Sequence, residues 1–261
     1  MKVTYKNPGF EHSINSILLF QTDKQTPYWS DAVFYFYPQI SKDEFLKCVP
    51  GERAKYITDK LACAYQTILP EIEEKTIRYN EHFLKFENQI NDALSDAFET
   101  DTRTLFNDLT GYIGLNPICP RFLKEHYFDV FYKNSEKGAL GMSIHEMIHY
   151  VWFHVWNQFF GDSYDEYESP SLKWILSEMV VESIMSDKRL SSINPYYPRE
   201  QGGCVYSYFL NMDIGGKLIL DTISDFYKDH HIIEFMQSSY EYCQKHENEI
   251  RSHIAKAEAG I

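Results

Sequence analysis

The chain has 261 residues, with 25 Lys and Arg against 38 Asp and Glu, a formal net charge of −13. At 44% apolar and 24% charged residues its composition is that of a globular protein with a sizeable core, not of a disordered one. The acidic balance argues against nucleic acid as a partner. No Lys/Arg-rich stretch suits an anionic membrane surface, and no run approaches the ~18 apolar residues of a membrane span.

Five cysteines, Cys48, Cys63, Cys119, Cys204 and Cys243, contain no CxxC, so neither a zinc ribbon nor a dithiol redox pair is written here. Each is expected to be a small buried hydrophobe. The first residues lack the apolar run of a signal peptide, and a cytoplasmic location is expected.

Residues 1–40 read as irregular structure and strand, the strand being Ala32 to Tyr37, β-branched and aromatic and closed by Pro38. Ser41 followed by Glu44 has the form of a capping box opening a helix. A long helix is expected from Pro70, suited to a first helical position, to about Thr100, with Glu71, Glu73 and Glu74 complementing its dipole. Tyr79, Phe83, Phe86, Ile90, Leu94 and Phe98 form its buried stripe. Short strands are expected at Tyr112 to Leu115 and His126 to Tyr132, with Pro117 and Pro120 keeping the stretch between them irregular. A turn at Asn134 to Gly138 precedes a helix over about Gly141 to Phe160. A polar loop then runs to Ser169, and a second helix from Pro170 to about Lys188. Pro195 and Pro198 mark a further loop, and Gly203 to Ala259 read as mostly helical, with breaks near Gly215-Gly216 and Asp229-His230. The sum is a mostly helical α+β protein of one domain, with a strand and helical part over about 1–105 and a core over about 106–261.

The chemistry lies in His145-Glu146-Met147-Ile148-His149, an HExxH motif. At about 100° per residue, positions i and i+4 share a helix face, so both imidazoles reach one metal ion while Glu146 sits beside them as a base. The apolar stripe of Ile144, Met147, Ile148, Val151, Trp152 and Val155 supports the helix independently. Two histidines and a glutamate in so apolar a helix are costly to bury unless paired or metal-bound. A third histidine in the HExxHxxGxxH pattern is excluded, because Trp152 and Val155 occupy the glycine and histidine positions. His154, roughly 500° around the helix from His149, faces away.

A downstream glutamate is the other source of a third ligand, and Trp174-Ile175-Leu176-Ser177-Glu178 with Glu182 supplies one. Here the chain resembles the gluzincin metallopeptidases, the clan of thermolysin and the zinc aminopeptidases. Those enzymes pair HExxH with a Glu on a second helix, in a Trp-Leu-x-Glu or Asn-Glu-x-x-x-Asp context. The resemblance covers about residues 138–188. It departs from the pattern in one extra residue after Trp174, in Ser177 for Asn, in Glu182 for Asp, and in the 28 residues between His149 and Glu178. It implies a zincin-like core, Zn2+ held by His145, His149 and Glu178, and Glu182 supporting a ligand histidine. Glu168 is an alternative ligand at shorter spacing, but Ser169-Pro170 reads as a helix start and leaves it outside the helix.

The same resemblance implies a Tyr or His downstream as oxyanion donor. Tyr206 is the first candidate, with Tyr208, His230 and His231 as others. It also implies that the strand Tyr127 to Tyr132 stands where an edge strand binds peptide backbones. The Gly-x-Met-Glu-Asn-type segment of the aminopeptidases is absent; Gly138-Ala139-Leu140-Gly141 stands there without a carboxylate. The expected activity is zinc-dependent hydrolysis, foremost of a peptide or protein substrate. A metallohydrolase of small amides and a non-catalytic helical interaction protein with a structural or fortuitous HExxH are the alternatives. A structural site needs ligands but no base, so the presence of Glu146 favours catalysis.

Overall fold

The structure, a computed structural model, describes residues 1–22, 25–194, 198–201, 203–229 and 231–260. Strand β1 (Val3–Lys6) is followed by helices α1 (Gly9–Leu18), α2 (Pro27–Ser30), α3 (Ala32–Phe36), α4 (Lys42–Lys47), α5 (Pro50–Leu84) and α6 (Glu87–Phe98). Strands β2 (Leu109–Gly114), β3 (Arg121–Phe122) and β4 (Tyr127–Phe131) precede the two central helices α7 (Glu136–Phe160) and α8 (Leu172–Ser186). The remainder comprises α9 (Lys188–Ser191), α10 (Ser207–Leu210), a hairpin of β5 (Asp213–Ile214) and β6 (Lys217–Leu218), and α11 (Ile219–Asp229), α12 (Ile232–Lys245) and α13 (Glu247–Glu258). The protein is therefore mostly helical with a small mixed sheet, an α+β architecture. Among the described residues no helix is long and apolar enough to cross a membrane.

The main sheet has the order β1-β2-β4-β3. β1 and β4 run parallel to β2, in registers that set Tyr5 opposite Gly111 and Phe128 opposite Gly111, and β3 is antiparallel to β4. β4 is thus an inner strand, and the expected edge position belongs to the two-residue β3. Helices α5 and α1 pack on the sheet, α7 packs on β4, α5 and α8, and α11 and α12 close over α8. The buried apolar side chains form one cluster from Met1 to Ile250, drawing on both parts of the chain.

Several elements differ from the sequence-based expectation. Residues 9–18 are helical, burying Ile14 and Ile17. Ala32 to Phe36 is a helical turn, not a strand: only Val33 is buried and Tyr35 is 81% exposed, so its strand-forming residues have no half-buried pleated surface to occupy. Pro70 does not open a helix but lies inside the 35-residue α5. The buried line Ile57, Leu61, Tyr65, Ile72, Tyr79 and Phe83 runs through it, and burial along that line outweighs the ~3 kcal/mol an interior proline costs. The helix expected to continue to Thr100 ends at Leu84, and α6 begins at Glu87.

Other positions follow the expectation more closely. Ser41 does cap α4, accepting from the Glu44 N–H. The strands near 112 and 126–132, and helices over most of 141–160 and 170–188, also lie where expected. All five cysteines are free; Cys119 and Cys243 are buried, whereas Cys63 is exposed. Pro195 lies outside the described residues.

Candidate metal centre

Helix α7 begins where Ser135 accepts a hydrogen bond from the Gly138 N–H and ends at Gly161, whose φ of 70° reverses the chain. From Ser143 to Trp156 only His145 and His154 escape full burial. Two tyrosines hold the helix in place. Tyr5 on β1 reaches across Gly111, where a Cβ would sit 2.8 Å from its ring, and its hydroxyl lies 2.5 Å from Ser143 Oγ and 3.2 Å from the Ala139 carbonyl. Tyr150 on α7 directs its hydroxyl at the Phe122 and Tyr127 carbonyls, 3.0 and 2.9 Å away, tying the β3–β4 corner to the helix. Helix α8 starts at Ser171, which accepts from the Trp174 N–H, and buries every residue from Ile175 to Met185.

These two helices bring three donor atoms together. His145 Nε2 and His149 Nε2 lie 3.0 Å apart, and Glu178 Oε2 is 3.7 Å from the first and 3.5 Å from the second. Ligands about 2.0–2.1 Å from a tetrahedral ion stand ~3.3 Å apart, so this triangle has the size of a metal's ligand set. Two imidazole nitrogens and one carboxylate oxygen could hold a metal ion. Two further observations fit. Glu146 Oε2 and His149 Nδ1 are buried without a hydrogen-bond partner, two of several such atoms among the described residues. Between the two Nε2 atoms there is also room for only one proton.

The charges are ordered by one residue the sequence did not single out. Arg121 on β3 donates from Nη1 to Glu178 Oε1 at 2.7 Å and approaches Ser177 Oγ at 3.5 Å, leaving Oε2 turned to the histidines. Burial pushes Glu178 towards the neutral acid, but His149 and Arg121, with the contacts to both histidines, hold it well below the usual carboxylate range. Burial and then the Arg121 charge depress His149 to about 3, which favours its neutral form. Burial pushes Glu146 up to about 7, with His145 and Arg121 pulling the other way. Burial would lower His145, but the hydrogen bond with Glu178 and the charge of Glu146 raise it above its ordinary value.

A cavity of ≈ 380 Å³ opens onto the cluster, lined by Arg121, His145, Glu146 and Glu178 among others. Tyr206, at the start of α10, also lines it. Burial, then the Glu178 charge, keep its phenol protonated far above the usual range, so its hydroxyl is available to donate. Glu168 lines the same cavity but is not part of the three-atom cluster. Tyr208 does not line it; its hydroxyl is buried and unpartnered. His231 is exposed and pairs with Glu99 at 2.5 Å, away from the cavity, and His230 lies outside the described residues. Glu182 differs from the expectation. Arg199 grips its carboxylate with two hydrogen bonds of 2.7 and 2.9 Å and also binds Asp221, while His149 Nδ1 has no partner, so the expected carboxylate–histidine bond is absent at His149. Arg121 stands out in the sequence only as a cation between Pro120 and the apolar Phe122-Leu123, a weak signal.

Set against protein-family models, curated proteins and solved structures, the chain matches none of them.

Proposed function

We propose that the protein is a zinc-dependent hydrolase with a zincin-like core that cleaves peptide bonds. What carries the reading is a two-imidazole, one-carboxylate donor set, His145, His149 and Glu178, of which His145 and Glu178 face a cavity that is also lined by Glu146, a buried carboxylate with an unpartnered oxygen. A purely structural metal needs the first and has no use for the second.

His145, His149 and Glu178 would hold the ion, a donor set that suits Zn2+. Zinc in such a site supplies an acidified water and a Lewis acid for a carbonyl oxygen. Glu146 would take the proton of the attacking water and later deliver it to the leaving amine, and a raised proton affinity suits a group that must both accept and return it. Tyr206 would donate its hydroxyl to the developing oxyanion, with its ring held among Trp29, Trp174 and Tyr208. Arg121 would keep Glu178 ionised and present one oxygen to the ion.

Metal analysis of purified protein tests the proposal. Wild type is expected to carry about one zinc per chain and His145→Ala none. Glu146→Gln should keep the metal and lose roughly 10²–10⁴-fold in peptide hydrolysis. Wild-type protein that takes up no added zinc would sink the site, and undiminished turnover by Glu146→Gln would sink the mechanism.

A further inference from the structure

We propose that the aromatic wall of the metal-site cavity, formed by Trp29, Trp174 and Tyr206, is a subsite for an aromatic side chain of the substrate, which rests on the hydrolase function proposed above. With Arg121, His145, Glu146 and Glu178 engaged at the metal centre, most of the remaining lining is apolar. The three rings make one continuous surface. The Tyr206 centroid lies 5.0 Å from that of Trp29 and 5.9 Å from that of Trp174, with interplanar angles of 79° and 35°. Edge and offset arrangements of this kind leave ring surface that a further ring can join.

Trp29 is fixed from outside the cavity. Its indole N–H donates to Glu258 Oε1 at 2.8 Å, at the end of α13, so it offers the cavity ring surface and not a hydrogen-bond donor. The ≈ 380 Å³ volume is near the small end of ligand pockets, enough for one large side chain and its flanking peptide groups. Glu168 adds a second criterion. Glu168 lines the same cavity and makes no side-chain ion pair among the described residues, so an acidic side chain entering there meets a residue of like charge.

Binding tests the proposal without turnover. Zinc-loaded Glu146→Gln protein is titrated with blocked tripeptides Ala-Xaa-Ala, Xaa being Phe, Ala, Lys or Glu, and followed by calorimetry. The Phe peptide should bind at least ~10-fold more tightly than the Ala peptide, as a hydrophobic pocket discriminates, and the Glu peptide most weakly. Trp174→Ala should bring the Phe/Ala ratio towards one. Glu258→Ala, which frees Trp29 without touching the cavity, should do the same, and zinc content should not change in either. Glu168→Gln should strengthen binding of the Glu peptide alone. Equal binding of Phe and Ala peptides, tighter binding of Lys than Phe, or an unchanged ratio in both Trp174→Ala and Glu258→Ala would overturn the subsite. Cleavage by wild type separates this from the parent reading. Phe-selective binding without any hydrolysis removes the hydrolase and keeps the subsite, whereas hydrolysis without Phe selectivity does the reverse.

Discussion

At the scale of single residues, Arg121 and Glu178 form a buried ion pair at the candidate site. Their side chains are 11% and 2% exposed, so neither charge is hydrated well enough to stand alone. Removing one partner of such a pair leaves an uncompensated buried charge, which typically costs about 3–5 kcal/mol, whereas replacing both by apolar groups is often nearly neutral. Arg121→Met is therefore expected to lower the unfolding free energy of metal-free protein by about 3–5 kcal/mol in urea titrations. Adding Glu178→Met should recover most of that loss, and a double variant as unstable as the single one would refute this account. The unpartnered Glu146 Oε2 and His149 Nδ1 belong to the same picture. A buried polar atom left unsatisfied costs about 1–3 kcal/mol, which a bound ligand can offset.

At the scale of elements, α5 and α7 show two ways in which tertiary burial acts on a helix. In α7 local and global preferences agree: a serine cap, a long apolar sequence and a terminal glycine all specify the helix that carries His145 and His149. In α5 they conflict at Pro70, which is exposed, has no N–H for the Gln66 carbonyl, and lies mid-helix because its neighbours Ile72 and Tyr65 are buried on either side. Pro70→Ala is accordingly expected to stabilise the protein, by about 1–3 kcal/mol, with a higher thermal midpoint as the readout. A lower midpoint would mean that the proline's restraint on the unfolded chain outweighs the missing hydrogen bond.

At the scale of the whole molecule, the site draws on segments far apart in sequence. Arg121 comes from the edge strand, the histidines from α7, Glu178 from α8 and Tyr206 from the start of α10. An ion held by side chains of α7 and α8 binds the folded state and has no preformed site in the unfolded chain, so its binding free energy adds to stability. Saturating zinc at about 1,000 times its dissociation constant should add about 4 kcal/mol, seen as a rise in the thermal midpoint. His149→Ala should abolish the rise. An equal shift in that variant would place the stabilising ion elsewhere.

What is local could be read directly from the order of residues. The i, i+4 spacing of His145 and His149 places both on one face of a helix whose stripe and flanks are visible in the chain, and their 3.0 Å approach follows from that geometry. The helices around them and the short strands were legible for the same reason, since periodicity, caps and turn residues act within a few positions. Ala32 to Phe36 and Pro70, unlike these, are places where distant packing overrides local preference, and helix α1 and the break after Leu84 were not read either.

Which partners meet depends on the folded chain. It set Glu178 against the histidines, gave Glu182 to Arg199, and made β3 the sheet edge in place of β4. It also carried Arg121, 57 positions before Glu178, into the centre of the charge arrangement. Desolvation explains the difference. A buried charge must find a counter-charge wherever the folded chain presents one, and nothing in the neighbouring sequence records where that will be.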